Sequence, residues 1–222
     1  MDQQITEILK KWGVALTEEQ ERKLELFKEE LLIKNSRLNL FSGNDAEVLW
    51  PRHILDALAG APILARLLKP GDTVADAGAG AGFPGVPLAV VLENFKFDLW
   101  DSSLRRQLFL TWAASRLRLG NVRALHSRIG QSGPAEAERY GAVVERAMGK
   151  LENILPQCLN MVRPGGVFLA WQSRGDGVFE KDGGSGVQDC RAEEVFAYRL
   201  PREEKDRFIL VFRKPGGPHA HS

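Results

Sequence analysis

The sequence predicts a doubly wound α/β fold with a mostly parallel sheet, an N-terminal helical extension and a C-terminal antiparallel hairpin. Three observations support this prediction. After residue 70, short apolar runs alternate with longer helical patterns, as in a parallel sheet covered by helices. A glycine-rich segment follows the first apolar run, where a strand would turn into a helix. Two final apolar runs flank a short charged turn, which is typical of a hairpin.

The first 70 residues contain helical patterns and form the predicted extension, which we expect to pack on the core. Thr17 and Gln20 have the spacing of a capping box, and this spacing predicts a helix that runs to about residue 34. Another helix should carry residues 52–56, with Pro51 in its first turn. We place the core at residues 71–214, and we expect residues 215–222 to be a disordered tail.

Within the core, the strands and helices are predicted to alternate. Helices are expected at 104–119 and 151–162, and a mobile glycine-rich loop should follow Gln172 and end near Gly186. The predicted parallel strands are 73–76, 95–101, 122–126, 142–145 and 167–172, and the predicted hairpin strands are 195–200 and 207–213.

Composition excludes several classes of protein. The 222 residues contain no apolar run long enough to cross a bilayer, and residues 1–12 have a helical pattern unlike a secretion signal, so we expect a cytoplasmic protein that does not enter membranes. The two cysteines, Cys158 and Cys190, lie far apart without neighbouring ligand patterns; we expect reduced thiols and no metal site.

The net charge of +1 lacks the cationic excess typical of proteins that depend on phosphate contacts. Any nucleic-acid site must therefore be local. The best candidate is a stretch without acidic residues that contains Arg105, Arg106, Arg116, Arg118, Arg123 and Arg128. A solvated helix face is the alternative interpretation of these six arginines.

The strongest chemical signal is the segment Asp76-Ala77-Gly78-Ala79-Gly80-Ala81-Gly82-Phe83-Pro84-Gly85. Glycines at such a strand-to-helix turn let a ligand approach the backbone, and the helix start offers free N–H groups. Asp101 follows about 20 residues later at the end of the second predicted strand, where a carboxylate can accept hydrogen bonds from ribose hydroxyls. The pattern fits a dinucleotide or S-adenosylmethionine equally well, and a glycine-rich turn without a ligand is the third possibility.

Asp76, directly ahead of the glycines, resembles the acid of the acid-glycine-x-glycine signature in class I methyltransferases. The chain also has no second mononucleotide-binding half, as a dehydrogenase would. More specifically, six segments together resemble the bacterial ribosomal RNA small-subunit methyltransferase G family, also called GidB. They are Arg37-Leu38-Asn39-Leu40, Arg52-His53-Ile54-Leu55-Asp56, residues 76–85, Asp101-Ser102, His126-Ser127-Arg128 and Glu145-Arg146-Ala147.

The resemblance implies an enzyme that methylates N7 of a guanine in 16S rRNA of the 30S subunit with S-adenosylmethionine. We expect the enzyme to be a monomer, although the sequence does not reveal the oligomeric state. The resemblance also implies cofactor contacts from Asp76, Gly78, Gly80, Phe83, Asp101, Ile129, Gly130 and Arg146, and a substrate or catalytic role for Asn39, His53 and Arg128. Gln172 departs from the family, which usually has a lysine after the fifth strand. A related methyltransferase with another substrate and a noncatalytic RNA-binding assembly protein are therefore alternatives.

Overall fold

The computed structural model describes residues 2–41, 48–130, 137–173 and 191–216. The extension begins with helices α1 (Gln3–Lys11) and α2 (Glu18–Leu38). The predicted capping box at the start of α2 is present, because Thr17 Oγ1 accepts the N–H of Gln20 and the Gln20 side chain accepts the N–H of Thr17. The helix is four residues longer than predicted.

The segment predicted as a third helix is a π-helical turn, Leu49–Ile54, that continues into α3 (Leu55–Leu58); α4 (Ala61–Leu67) follows. This short helical run places Arg52, His53 and Asp56 within one or two turns of each other. It is the last part of the extension and directly precedes the first strand of the sheet.

The core is a seven-stranded sheet with the order β3-β2-β1-β4-β5-β7-β6. The first five strands are parallel, and β7 pairs antiparallel with both β5 and β6, so the predicted hairpin is confirmed. The strands are β1 (Thr73–Ala77), β2 (Lys96–Asp101), β3 (Val122–His126), β4 (Tyr140–Arg146), β5 (Val162–Gln172), β6 (Glu194–Tyr198) and β7 (Arg207–Arg213).

Helices cover both faces of the sheet, as predicted for a doubly wound fold. Side chains alternate along each strand, so in β1 Val74 belongs to one buried cluster and Ala75 to the other. The larger cluster joins the sheet to the extension helices and to α5 (Gly85–Val91) and α6 (Leu104–Arg116); the smaller one includes α7 (Leu151–Met161).

The strand β5 begins at Val162, five residues earlier than predicted. Its register against β4 shifts between Tyr140 and Ala142, so residues 163–166, which the prediction left between a helix and this strand, form an irregular start of the strand. Cys158 is buried and reduced. Cys190, most of the predicted glycine-rich loop and most of the predicted tail lie outside the described residues. No helix in the described ranges is long and apolar enough to span a membrane.

Candidate functional site

The site lies where the strand order reverses between β1 and β4, at the carboxyl ends of the parallel strands. The helices that follow neighbouring strands leave a crevice at this point. Two cavities open there, of about 700 and 540 Å³, and both volumes are in the range of small-molecule sites. We call them the Asp101 cavity and the Arg146 cavity.

The Asp101 cavity lies at the ends of β2 and β3. Its walls combine an aromatic ring, Trp100, with the Asp101 and Ser102 strand end and the turn after β3. That turn contributes Arg128, Ile129 and Gly130, and the start of α7 closes the opposite side with Ile154 and Gln157. A lining that combines apolar side chains, such as Trp100, with polar groups, such as Asp101, suits the base and the sugar of a nucleoside.

The Arg146 cavity lies between the ends of β1, β4 and β5 and the helical extension. It is lined by the glycine-rich turn, Phe83, Arg52, His53, Asp56, Glu145, Arg146, Trp171, Gln172, Tyr198 and Arg207. With Arg106, which also lines this cavity, five of its side chains are basic and two are acidic. The cavity therefore has a polar, predominantly cationic lining that suits a nucleotide.

The two cavities adjoin, because Gly78, Arg106 and Ala147 line both of them. Gly78 has φ of +70°, and a Cβ added there would stand 2.9 Å from Met148 Cγ. A side chain at this position would be strained and would crowd the boundary between the cavities. A glycine at position 78 thus keeps the boundary open, so that ligands in the two cavities could lie close to each other.

Not all of the glycines in the loop serve a ligand. A Cβ at Gly85 would stand 2.5 Å from Asp76 Oδ2, and the Gly85 N–H donates a 2.7 Å hydrogen bond to that same oxygen. Asp76 lines neither cavity and is fully buried. Its position beneath the loop indicates that it holds the turn in shape.

Asp101 links the loop to the end of β2. Its Oδ2 accepts the Gly80 N–H at 2.9 Å, and its Oδ1 accepts the Ser103 N–H at 2.8 Å. The Arg106 guanidinium lies 3.7 Å from Oδ2. Because a carboxylate has about four acceptor positions, Asp101 keeps capacity for further hydrogen bonds on its cavity side.

A buried ion network organises the Arg146 cavity around Asp56, which is 1% exposed. Asp56 Oδ2 accepts from Arg146 Nη1 at 3.0 Å, while Oδ1 accepts from Tyr198 Oη at 2.5 Å and from Arg207 Nη1 at 3.3 Å. Trp171 Nε1 donates to the backbone oxygen of Asp56 at 2.9 Å. This network ties the extension to β4, β5 and the hairpin.

The network fixes the orientation of the Arg146 side chain. Its Nη2 lies 3.2 Å from His53 Nδ1, and its guanidinium carbon stands 4.9 Å from the centre of the Phe83 ring. The Phe83 ring in turn packs 5.5 Å from the His53 ring. A guanidinium has five N–H donors, so Arg146 can bind a ligand while it holds Asp56.

Two buried carboxyl groups lie close to the glycine-rich turn. Burial raises the pKa of Asp76 to about 7, although the Gly85 N–H and Arg146 oppose the shift. Burial likewise raises the pKa of Glu145 to about 7, opposed by the Met148 N–H and by Arg146. Asp76 Oδ1 and Glu145 Oε1 have no hydrogen-bond partner among the residues that the structure describes.

The residues predicted for the site divide between the two cavities. Asp101, Arg128, Ile129 and Gly130 line the Asp101 cavity, while His53, Gly80, Phe83 and Arg146 line the Arg146 cavity and Gly78 lines both. Asp76 lies beneath the loop, as described above. His53 and Arg128, both predicted to have a substrate or catalytic role, are thus placed in different cavities.

Asn39 is placed outside both cavities. It is exposed, adopts a left-handed conformation (φ 49°) and ends α2, and its successors Leu40 and Phe41 are the residues that line the Arg146 cavity. The backbone reversal at Asn39 directs these neighbours toward the site.

The basic segment predicted for RNA contact is partly neutralised. Arg116 pairs with Glu30 at 2.8 Å, and Arg123 forms a bidentate pair with Asp98 whose shorter distance is 2.6 Å. These two arginines are structural. Arg106, which has 47% of its side chain exposed, and the exposed Arg128 lie instead beside the cavities.

Several residues of the site had no role in the sequence analysis. Asp56 and Glu145 stood within recognised segments but without a function, and Tyr198 and Arg207 were seen only as parts of a hairpin. The sequence signal for Asp56 and Glu145 was that each acid lies within three positions of a predicted functional residue, His53 or Arg146. No cluster of three or more potential metal ligands occurs within the described ranges.

Comparisons with known proteins agree with this architecture. Residues 20–182 match the model of the family described as GidB, rRNA small subunit methyltransferase G. A protein of that name from Bacillus cytotoxicus is 31% identical, covering 96% of this chain and 90% of the relative. Another of the same name, from Staphylococcus saprophyticus, is 30% identical over 97% and 95%.

Solved structures show the same fold at lower identity. A SAM-dependent methyltransferase from Methanosarcina mazei superposes with a TM-score of 0.55 at 12% identity, covering 70% of this chain and 98% of that one. At this identity the likeness establishes the class I methyltransferase fold alone. Together with the match over most of the sequence, it shows that this chain belongs to the GidB family, the rRNA small subunit methyltransferase G proteins.

Proposed function

We propose that this protein transfers a methyl group from S-adenosylmethionine to N7 of a guanine in 16S rRNA of the small ribosomal subunit. The observation that carries the proposal is the pair of adjoining cavities that meet at Gly78. One has the lining of a nucleoside site, and the other has a cationic lining suited to RNA. Action on ribosomal RNA would place the protein in the cytoplasm.

The residues of the Asp101 cavity fit the proposed cofactor. Asp101 retains acceptor capacity for the ribose hydroxyls, Trp100 and Ile129 offer apolar surface for the adenine, and Gly78 allows close approach at the boundary. When bound, S-adenosylmethionine supplies an electrophilic methyl group on a positively charged sulfur.

The chemistry requires little of the protein beyond positioning. Guanine N7 carries a lone pair and no proton, so no general base is needed, and alignment and electrostatics must supply the acceleration. The walls of the Arg146 cavity suit this task, since the buried Phe83 and Trp171 and the hydrogen-bonded Asp56 network hold its side chains in place.

The basic groups around the Arg146 cavity would hold the RNA. Arg52 and Arg106 have 53% and 47% of their side chains exposed, so each can contact backbone phosphate without leaving its present position. Arg146 and His53 lie deeper and would orient the target nucleotide. This division explains how a chain with almost no net charge can bind RNA.

Methyl transfer to isolated 30S subunits tests the proposal. We expect label from methyl-labelled S-adenosylmethionine to appear in N7-methylguanosine after nuclease digestion of 16S rRNA. Label in another nucleoside would redirect the substrate assignment, and binding of the cofactor without any transfer would favour a noncatalytic assembly role.

A pair of histidine variants tests the assignment of the Arg146 cavity. His53→Ala should lower methylation by roughly 100-fold, the scale for a misplaced reactant, with cofactor affinity unchanged, because His53 lines only the Arg146 cavity. His126→Ala is the matched control, since His126 is exposed and lines neither cavity. Equal losses in both variants would contradict the assignment.

A further inference from the structure

Glu145 is a buried acid that the proposed reaction does not yet use. It is fully buried at the end of β4, and it lines the Arg146 cavity. One carboxyl oxygen, Oε2, accepts the N–H of Met148 at 3.0 Å, while Oε1 has no partner among the described residues. A buried acceptor without a hydrogen-bond partner destabilises the folded protein, so we looked for a ligand that could interact with this oxygen.

The position of Glu145 indicates which ligand this is. Its carboxyl group holds the turn of Ala147 and Met148, and Ala147 lines both cavities. The Met148 side chain packs against Gly78, because a Cβ added to Gly78 would lie only 2.9 Å from Met148 Cγ. Glu145 therefore lies at the boundary between the cavities, where the methyl donor and its acceptor would meet.

At that boundary the acceptor and the donor present different chemistry. A guanine aligned for attack turns N7 toward the donor, and its N–H donors lie on the opposite edge of the purine. A group at the boundary cannot reach those donors. The donor, in contrast, has a positively charged sulfur and an ammonium group at its methionine end, and both attract a carboxylate.

We propose that Glu145 is the counter-ion for the cationic methionine end of S-adenosylmethionine, through its free oxygen Oε1. This inference rests on the proposed cofactor. It assigns a binding role to a residue on the wall between the two cavities. Glu145 thereby selects the charged donor over uncharged nucleosides of the same shape.

The titratable groups that face Glu145 lie on β1, β4 and α7. Arg146 follows it on β4, Asp76 lies on β1, Cys158 faces it from α7, and its partner on β5 is the uncharged Ala170. Burial keeps the pKa of Glu145 at about 7 without a ligand. A bound cation would lower that pKa, so binding near pH 7 should release a proton from Glu145.

Calorimetric titration of the full chain tests the inference with two ligands. S-adenosylmethionine has the cationic end, and 5′-methylthioadenosine has the same adenine and ribose without it. Glu145→Gln keeps the shape and the hydrogen bond to Met148 but removes the charge. It should weaken S-adenosylmethionine binding about tenfold or more, while methylthioadenosine affinity stays within about twofold.

Proton release gives an independent readout. The binding enthalpy of the unmodified chain should depend on the ionisation enthalpy of the buffer, and this dependence should shrink in Glu145→Gln. Asp76 titrates in the same range and is unchanged in the variant, so the difference between the two proteins belongs to Glu145. Glu152→Gln, the same replacement at an exposed residue of α7 outside both cavities, should behave like the unmodified chain.

Three results would overturn the inference, and they differ in scope. If the unmodified chain binds S-adenosylmethionine and Glu145→Gln retains both its ligand preference and its proton release, the inference alone is wrong. Equal weakening of both ligands in Glu145→Gln would also contradict it, because that pattern indicates a structural role. If the unmodified chain does not bind S-adenosylmethionine, the proposed function fails as well.

Discussion

Replacing Asp56 with asparagine should destabilise the protein strongly, although the two side chains have almost the same shape. The carboxylate has two buried arginine partners, Arg146 and Arg207, whose side chains are only 18% and 15% exposed. Asparagine keeps a hydrogen-bond acceptor but has no charge to balance them. Removing one member of a buried ion pair typically costs about 3–5 kcal/mol, because the other charge stays buried.

The structure places the expected loss near the lower end of that range. Arg207 keeps a second partner, since it forms a bidentate pair with Glu203 with both distances at 2.7 Å. Arg146 has no other salt bridge among the described residues. We therefore expect a loss of about 3 kcal/mol in the free energy of unfolding, which for a chain of this size lowers Tm by about 6–12 °C.

Urea denaturation, followed by circular dichroism, measures this loss. Glu203→Gln is the matched control: it also removes a carboxylate from Arg207, but its side chain is 27% exposed and Asp56 remains in place. We expect it to cost about 1 kcal/mol at most. A loss below about 1 kcal/mol for Asp56→Asn, or equal losses for both variants, would refute the idea that Asp56 is the centre of the network.

Three further perturbations test other parts of the structure. Gly78→Ala should weaken S-adenosylhomocysteine binding about tenfold or more by calorimetry, because its Cβ would crowd Met148 at the boundary of the cavities; unchanged affinity would contradict this placement. Gly60→Ala should cost about 1–3 kcal/mol in urea denaturation, because its Cβ would stand 2.5 Å from the Trp171 ring; a neutral result would mean that the ring moves freely. The folded-state pKa of Glu145 lies above its unfolded value, so its contribution to stability is present at low pH and lost as pH rises through about 7. Between about pH 5 and 8, the free energy of unfolding of Glu145→Gln should therefore fall by about 2 kcal/mol less than that of the unmodified chain. Parallel plots of unfolding free energy against pH for the two proteins would argue against the raised pKa.

The sequence predicted the local elements well, because their signals are local. The capping box at Thr17, the glycine-rich turn after β1 and the acid at the end of β2 are all patterns within about ten residues of one element. The parallel arrangement of the first five strands followed from the alternation of strands and helices. The start of β5 was misjudged, because the turn residues around Pro164 lie within an irregular pairing to Tyr140 and Ala142.

The ion network could not be predicted, because its members come from distant parts of the chain. Asp56 and Tyr198 are 142 residues apart, and no pattern in either segment indicates that their side chains meet. The same applies to Arg207, whose strand read only as part of an apolar hairpin. The fold brings these residues together, since β7 pairs antiparallel with β5 and β6 lies at the sheet edge beside it.

The division of the site into two cavities was equally hidden. His53 and Arg128 belong to similar short basic segments, and only the fold places them in different cavities. Glu145 stood beside Arg146 in the sequence, but its importance depends on burial and on an unpaired oxygen. Burial of a single polar atom is a tertiary property that residue spacing does not reveal.

The proposed position of the cofactor is tested directly by a crystal structure with S-adenosylhomocysteine. We expect the adenosine to lie against Trp100 and Ile129, with its ribose hydroxyls bonded to Asp101 and its homocysteine portion directed past Gly78 toward the Arg146 cavity. Density for the whole ligand in another part of the molecule, with the Asp101 cavity empty, would show that the cofactor site and the proposed route of methyl transfer are wrong.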